Sequence, residues 1–294
     1  MMPTDPLYAS QWHFGLIGNI ERIWDDFNGR GVHVGIYDDG IDFNHSDLND
    51  NYHAALHVVN NLGAVVSPFP ARFIPGGDDH GTAVAGIIAS EAGNNLGGVG
   101  VSWGARITGV NIFGASVYGA VNGPVVDNFL NVARQAVNFD ISQNSWGAPP
   151  YQYLESSLAG TGLAAQLATV FRDISRDGRD GLGTVITQAA GNDSLDANRD
   201  GLNASRFTIT VAATERDGFA ASYSNFGSSI LVAAPAAAVT TDLSGSAGNN
   251  ASSLSYPERG SWGIREPLPA TPFMAGSGGG WIASSWVVMD RSEV

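Results

Sequence analysis

The sequence predicts an α/β fold with a central, mostly parallel β-sheet and helices on both of its faces. Short apolar segments alternate along the chain with segments whose apolar residues recur at helical spacing. Strands this apolar are buried on both faces, which is typical of a parallel sheet covered by helices. Polar and glycine-rich residues follow several of these strands, at the sheet edge where such folds place their functional sites.

The individual elements follow from the same pattern. The first predicted strand covers residues 32–37 and ends in acidic residues. Residues 81–90 predict a helix of small side chains, and residues 125–137 and 163–174 have apolar residues at helical spacing. Further strands are expected at the short apolar runs of residues 107–112, 139–142, 184–190, 207–213 and 230–234.

Composition limits the class of protein. The chain has 294 residues, 44% of them hydrophobic and 14% charged, which is a globular composition near the upper limit for one core. We therefore expect a single domain over residues 1–294. Lys and Arg total 14 and Asp and Glu total 28, a formal charge of −14. A surface this acidic argues against nucleic acid as a partner and fits a secreted enzyme or a cation-binding protein.

Cysteine is absent, so disulfides and thiolate metal sites are excluded. Bound calcium is then a good candidate for holding the loops of a secreted protein. No apolar run reaches the length of a transmembrane helix, and the start of the chain lacks the pattern of a signal peptide. We therefore expect either a cytoplasmic protein or a mature exported chain, with no membrane segment.

Two segments predict the base half of a nucleophilic triad. The segment GIYDDGIDFNHSDL of residues 35–48 places Asp38 and Asp39 at the end of a buried strand. The segment DDHGTAVAG of residues 78–86 places His80 at the start of a helix of small residues. A fixed carboxylate can orient an imidazole and stabilise its protonated form. Taken singly, Asp38 and Asp39 are better explained as a solvated strand end and His80 as a plain helix cap.

A third segment, ITQAAGNDS of residues 186–194, places Asn192 at the carboxyl edge of the sheet. A positioned amide donor is what a developing oxyanion requires. Together the three segments resemble the subtilisin-like serine protease family, in which Asp, His and Asn follow in this order. The branch that contains kexin and furin is also similar in the segments TDPLYASQWHF, YDDG, GNNLGGVGVSWGARITGV, NSWG and GRDGLGTV.

The resemblance extends from about Thr4 to about Asp242, whereas residues 252–294 depart from the family. It implies a subtilisin-like fold whose C-terminal part is divergent or incomplete. It also implies Asp38 as the triad aspartate, His80 as the general base and Asn192 as the oxyanion donor. The residues implied to contact substrate are Asp39, the cleft wall Ser145, Trp146 and Gly147, and Asp200, which is equally compatible with a plain turn.

A structural calcium site is a further implication of the resemblance. In this family a carboxylate after the Asp segment meets a loop that interrupts the His helix, and Asp47 matches that carboxylate. All the implied ligands are oxygens, as calcium prefers. They are the carboxylates of Asp5 and Asp47, the side-chain oxygen of Asn94, and the carbonyls of Ala92, Leu96 and Gly98. The alternative for Asn94 is a simple turn.

Two departures concern specificity. The kexin branch has acids just beyond SWG, where this chain has Ala148, Pro149 and Pro150, so a strict arginine preference is not expected. The carboxylate of the branch's second calcium site is matched by Asn225, so a second calcium site is not expected.

The largest departure concerns the nucleophile. The family motif Gly-Thr-Ser-x-Ala-x-Pro is absent, and the run from Ala270 to Gly276 resembles only its end. Aligned on that run, the nucleophile position holds Leu268 between two prolines, and Ser261 and Ser277 lack the required flanks. One hypothesis is a shifted reading frame, because codons for residues 266–269 can be chosen so that a one-base regrouping reads Gly-Thr-Ser-Ala.

The sequence therefore predicts a calcium-dependent serine endopeptidase whose serine motif is not recognisable. Its polypeptide substrate would be cleaved by a monomer that is secreted or periplasmic, as the resemblance implies. Two alternatives remain. One is a peptide-binding relative that keeps the cleft without the nucleophile, and the other is a chain that folds poorly because its last sheet-packing helix is replaced.

Overall fold

Six parallel strands form the centre of the molecule in a computed structural model that describes residues 3–73, 77–118, 124–147, 163–236 and 238–248. Their order in the sheet is β2-β1-β3-β4-β5-β6, and every pairing between these strands is parallel. The strands are β1 His33–Asp38, β2 Arg106–Asn111, β3 Ile141–Asn144, β4 Val185–Ala189, β5 Ile209–Thr214 and β6 Ile230–Pro235. The predicted parallel sheet is confirmed.

The helices in the described part of the chain are α1 Ile20–Asp26, α2 His80–Ala89, α3 Ala115–Tyr118, α4 Val125–Arg134 and α5 Leu163–Gly181. α5 has non-helical backbone at residues 178–180. The helix predicted over residues 125–137 ends at Arg134 and continues as a 3-10 turn. α1 was not predicted, because seven residues with only Ile20 and Trp24 buried show no extended period.

Helices cover both faces of the sheet, as predicted. On one face, Val34 and Ile36 of β1 belong to a core that includes Ile87 and Ile88 of α2. On the other face, Tyr37 of β1 belongs to a core built with α4 and α5. Because successive strand residues point to opposite faces, β1 contributes apolar side chains to both cores.

The position of β1 determines where a site can form. The chain runs from β1 to β2 on one side and then returns to β3 on the other side of β1. A crevice opens at such a reversal, beyond the carboxyl ends of the strands. Asp38 is the last residue of β1 and Asn144 is the last residue of β3. Asn192 follows β4, so the predicted catalytic residues share this edge.

The segment of residues 238–248 lies along α2. The Thr240 hydroxyl donates to the Ala83 carbonyl at 2.7 Å, and the Thr241 hydroxyl donates to the Thr82 carbonyl at 2.6 Å. The backbone N–H of Ser244 donates to the Asp42 carboxylate at 3.0 Å. The chain therefore passes beside α2 immediately before residue 249. Residues 252–294, where the sequence departs from the family, lie outside the described residues. The prediction of a single domain over residues 1–294 stays a prediction.

Within the described ranges, no helix is both long enough and apolar enough to cross a bilayer.

Candidate active site

Asp38 and His80 form a buried hydrogen-bonded pair. Nδ1 of His80 lies 2.9 Å from Oδ1 and 3.0 Å from Oδ2 of Asp38. An ionised carboxylate can only accept, so Nδ1 carries the proton and donates. Asp38 is 1% exposed, and the His80 side chain is 12% exposed. The imidazole is therefore fixed in the tautomer that leaves Nε2 as its free basic position.

Nε2 of His80 is buried, and no hydrogen-bond partner for it lies among the described residues. The residues that the sequence offered for the nucleophile position, Leu268, Ser261 and Ser277, all lie outside the described residues.

Asp39 holds the first turn of α2. Its carboxylate accepts the N–H of His80 at 3.2 Å and the N–H of Gly81 at 2.7 Å. Backbone N–H groups at a helix start have no partner within the helix, so a carboxylate placed there stabilises the helix. Gly81 is required by the close approach, because a Cβ at this position would lie 2.2 Å from the Gly40 carbonyl oxygen. The predicted contact of Asp39 with substrate stays a prediction.

The charges in this cluster favour a protonated His80. Burial lowers its pKa, but the charge and hydrogen bond of Asp38, with the charges of Asp39 and Asp79, raise the pKa to about 9. Burial and the charge of Asp38 raise the pKa of Asp39 well above its ordinary value. A histidine with a raised pKa is a strong base once it is deprotonated.

Asn192 lies in the loop that follows β4. Its side-chain oxygen and nitrogen are both buried, and neither has a hydrogen-bond partner in the part of the chain that the structure describes. Gly191, immediately before it, has φ of +103°, which favours glycine. A buried amide without hydrogen-bond partners destabilises the fold unless a ligand binds to it. An oxyanion donor has these properties when no substrate is bound.

The predicted cleft wall follows β3. The Ser145 hydroxyl accepts from Nε2 of Gln143 at 2.6 Å, and Gly147 is exposed. The Trp146 side chain is buried and packs edge-on against Phe113 and Phe129. Trp146 can therefore contact a substrate in the cleft through its backbone but not through its ring. Residues 148–150, which decided the expectation on arginine preference, lie outside the described residues.

The Asp200 carboxylate bonds within its own turn. It accepts the N–H of Leu202 at 2.8 Å, and burial raises its pKa to about 6. This geometry is that of the turn named above as the alternative, and a contact of Asp200 with substrate stays a prediction.

Five of the six implied calcium ligands are joined by direct hydrogen bonds. The Asp5 carboxylate accepts the N–H groups of Gly93, at 2.8 Å, and Asn94, at 3.2 Å. The Asp47 carboxylate accepts Nδ2 of Asn94 at 2.9 Å and the N–H of Gly98 at 3.3 Å. Leu96 lies within the same loop and donates its N–H to Asn94, and Ala92 immediately precedes Gly93.

The carboxylates of this cluster suit a bound cation, but the side-chain amide of Asn94 is turned the wrong way to bind it. Asp5 is 4% exposed and Asp47 is 0% exposed, and burial raises the pKa of Asp47 to about 8. A buried carboxylate with no cationic partner is unfavourable, and a hard cation would neutralise it. Oδ1 of Asn94, however, accepts the N–H of Leu96 at 2.8 Å, so the amide would have to turn over to give its oxygen to a cation beside Asp47.

No group of three or more His, Cys, Asp or Glu side chains able to hold a metal occurs in the described ranges. A cation at Asp5 and Asp47 would therefore depend on backbone carbonyls for most of its ligands.

Asn225 is a residue whose contacts the sequence did not predict. By residue type it is only an amide where the kexin branch has a carboxylate, yet its side chain contacts the Asn192 loop at several points. A contact between residues 35 positions apart leaves no local pattern that could have revealed it.

Comparisons with known proteins agree with the fold. The family model described as the subtilase family matches residues 29–263. The chain is similar to proprotein convertase subtilisin/kexin type 4 of Rattus norvegicus, with 34% identity over 252 residues that cover 82% of this chain and 35% of that protein. Furin of Rattus norvegicus is 33% identical over 258 residues, which cover 82% of this chain and 31% of furin.

The chain thus spans about a third of the length of these relatives. Among solved structures, a serine protease of Aeromonas sobria is similar in fold, with a TM-score of 0.73 and 21% identity over 98% of this chain and 54% of that one. The match of the family model and the identity with these convertases show that the chain belongs to the subtilase family.

Proposed function

We propose that this chain is the catalytic part of a serine endopeptidase that hydrolyses peptide bonds in polypeptide substrates. The single observation that carries the proposal is the Asp38–His80 pair, in which both carboxylate oxygens bind Nδ1 and Nε2 is left free. An imidazole held in this way is prepared to accept a proton from a nucleophile. Membership of the subtilase family supports the same reaction class.

The reaction would proceed in two balanced halves. Nε2 of His80 takes the hydroxyl proton of a serine as its oxygen bonds to the peptide carbonyl carbon. The Asn192 amide donates to the resulting oxyanion, and the same proton passes to the leaving amine as the C–N bond breaks. Water then hydrolyses the acyl-enzyme by the same route. Asp38 holds the imidazole and stabilises its positive charge, and an oxyanion donor is typically worth about 100- to 1,000-fold in rate.

Substrate would bind along the segment of Ser145, Trp146 and Gly147. In our proposal an extended peptide pairs with this backbone as an added strand. The buried Trp146 ring supports this, because its packing against Phe129 holds the residue in place and leaves its backbone toward the cleft. Asp39 and Asp200 would then line neighbouring subsites.

The serine nucleophile is the test of the proposal. A fluorophosphonate probe on the purified chain should label one serine, and His80→Ala should abolish the labelling. No labelling of the intact chain would contradict the proposed activity. The coding DNA tests the shifted frame separately, since codons that cannot be regrouped to Gly-Thr-Ser-Ala over residues 266–269 would rule that hypothesis out.

The missing Gly-Thr-Ser-x-Ala-x-Pro motif favours one second candidate, a peptide-binding subtilase without turnover. Peptide binding that survives His80→Ala, with no product formed by the parent chain, would support this candidate over the endopeptidase. Binding and hydrolysis of the same fluorogenic peptide, measured in parallel, separate the two.

We also propose a structural calcium ion at Asp5 and Asp47, with oxygens of Ala92, Asn94, Leu96 and Gly98 as further ligands. Both carboxylates are buried without a cationic side chain beside them in the described part of the chain, which supports the proposal. A bound cation would tie the N-terminal segment to the loop after α2, in a chain without disulfides. Thermal unfolding in calcium and in chelator tests this, with a higher midpoint expected in calcium. We propose further that the enzyme is exported and acts as a monomer.

A further inference from the structure

We propose that Asn225 is a positioning residue that fixes the Asn192 loop through its neutral side-chain amide and without a metal ion. The inference rests on the proposed function in one respect, since it takes Asn192 as the oxyanion donor. The loop is defined here as residues 190–195, which connect β4 to the turn at Asp196.

The Asn225 side chain contacts this loop at both ends. Its Nδ2 donates to the Ala190 carbonyl at 2.9 Å. Its Oδ1 accepts the N–H of Asp193 at 3.0 Å and the N–H of Leu195 at 2.9 Å. Asn192 lies between these points, so one side chain holds the backbone before and after it.

The backbone of Asn225 adds a fourth contact. Its N–H donates to the Gly191 carbonyl at 3.0 Å. A Cβ on Gly191 would lie 2.4 Å from Nδ2 of Asn225, so the glycine is also required by the approach of this amide. The peptide units on both sides of Asn192 are thus fixed by a single residue, which is what aiming the Asn192 side chain requires.

The orientation of the Asn225 amide follows from its partners. Nδ2 faces a carbonyl, which can only accept, and Oδ1 faces two N–H groups, which can only donate. A flipped amide would lose all three bonds. Asn225 is 9% exposed, so no water competes freely for these groups.

The same partners explain why no cation is needed here. An amide oxygen has two lone pairs, and both are used by the N–H groups of Asp193 and Leu195. A carboxylate at position 225 would place a second acceptor against the Ala190 carbonyl, and that pair of oxygens would need a bridging cation or a proton. The neutral amide supplies the donor instead.

Asn60 provides a matched control. It is 7% exposed, its Oδ1 accepts the N–H groups of Leu62 and Ala64 at 3.0 Å each, and its Nδ2 donates to the Ser116 carbonyl at 3.2 Å. It therefore makes the same three side-chain bonds as Asn225, but to other segments of the chain. Asn60→Ala should match the structural cost of Asn225→Ala without touching the Asn192 loop.

The test is amide hydrogen exchange together with the NMR signal of the Asn192 side-chain amide, neither of which needs turnover. In Asn225→Ala, we expect exchange at Asp193 and Leu195 to be about fivefold faster, the factor for loss of one ordinary hydrogen bond. The Asn192 side-chain signal should shift or broaden. Asn60→Ala should leave all three signals unchanged.

A second variant covers the case in which Asn225→Ala fails to fold. Asn225→Asp keeps the oxygen that accepts from Asp193 and Leu195 and replaces the donor to Ala190 with an acceptor. We expect these two amides to stay protected while the Asn192 signal moves. An unchanged Asn192 signal in both variants, or equal changes in the Asn60 control, would overturn the positioning role.

Kinetics then separates this inference from the proposed function. If the chain is active, Asn225→Ala should lower kcat by about tenfold or more with little change in KM, and it should add little to Asn192→Ala. Additive losses in that double variant would contradict the role. A chain with no turnover would contradict the proposed function, whereas the exchange result would still decide the role of Asn225.

Discussion

Two loops of this molecule are held by buried polar side chains of different kinds, acidic carboxylates in one and a neutral amide in the other. The loop of residues 91–98, after α2, is held by the carboxylates of Asp5 and Asp47. The loop of residues 190–195, after β4, is held by the amide of Asn225. In the described part of the chain no cationic side chain pairs with Asp5 or Asp47, and burial raises the pKa of Asp47 to about 8.

The difference between carboxylate and amide separates a loop that stabilises the fold from a loop that positions the proposed oxyanion donor. A buried carboxylate is incomplete until a proton or a cation neutralises it, so the first loop depends on solution conditions. A neutral amide with each bond satisfied has no such dependence. The loop that carries the proposed oxyanion donor would therefore keep its geometry when the calcium concentration changes.

The largest expected effect is that of Asn192→Ala. It removes the donor while leaving the Asn225 bonds to the backbone in place, so kcat should fall by about 100- to 1,000-fold with KM little changed. Steady-state kinetics on a peptide substrate measures this. The calcium-dependent shift of the thermal midpoint should match that of the parent chain, and loss of this shift would contradict the independence of the two loops.

Asp47→Asn addresses the other loop. It removes the buried charge that a cation would neutralise, so the variant should lose the calcium-dependent rise in stability. That rise should be about 2.7–4.1 kcal/mol when calcium is 100- to 1,000-fold above its dissociation constant. Unfolding in calcium and in chelator gives the value. Asn44→Ala, on an exposed neighbour, is the control, and a full calcium response in Asp47→Asn would contradict the site.

The pH profile tests the Asp38–His80 pair. The charges of Asp38, Asp39 and Asp79 outweigh burial and raise the pKa of His80 to about 9, so kcat/KM should rise about tenfold per pH unit below that value. Asn225→Ala should lower the plateau without moving this limb, because the amide is uncharged. If the rising part of the kcat/KM profile shifted along the pH axis in Asn225→Ala, Asn225 would act on the pKa of His80 instead.

The same shift has a consequence for stability. The pKa of His80 is higher in the folded chain than its ordinary value of 6.5, so the folded state binds the proton more tightly. This contribution is complete below pH 6.5 and is lost as the pH rises through about 9. Denaturant unfolding of the parent chain and His80→Ala across this range should show a difference that shrinks with rising pH. A constant difference would contradict the assignment.

The smallest expected effect is that of Asn203→Ala. Nδ2 of Asn203 donates to the Ala190 carbonyl at 2.7 Å, so Ala190 keeps its Asn225 partner when this bond is lost. We expect a cost of about 1 kcal/mol in stability and a loss of kcat several times smaller than for Asn225→Ala. Denaturant unfolding and kinetics measure the two. A kcat loss as large as that of Asn225→Ala would mean that the bonds to Ala190, not those to Asp193 and Leu195, aim Asn192.

The sequence predicted the parts of the site that local patterns determine. Asp38 ends an apolar strand and His80 begins a helix of small residues, so each was visible from its neighbours. The sheet followed from apolar runs of strand length, whereas the short helices α1 and α3 were not predicted. The predicted secondary structure was therefore enough to place Asp38 and His80 at the carboxyl edge of the sheet.

What the sequence could not predict depends on contacts between distant segments. The Asn225 amide binds residues 30 to 35 positions away, and its role depends on which atom faces which partner. The turn of the Asn94 amide toward Leu96 is likewise set by the local path of the backbone. Residue types alone indicate the chemistry available at a position, whereas orientation decides whether it is used.

Hydrogen exchange at both loops, with calcium and with chelator, tests the comparison most directly. We expect amides of Gly93, Asn94 and Gly98 to lose protection when calcium is removed, while those of Asp193 and Leu195 keep theirs. Equal loss of protection at the two loops would contradict the account, because the loop of Asn192 would then also depend on a cation.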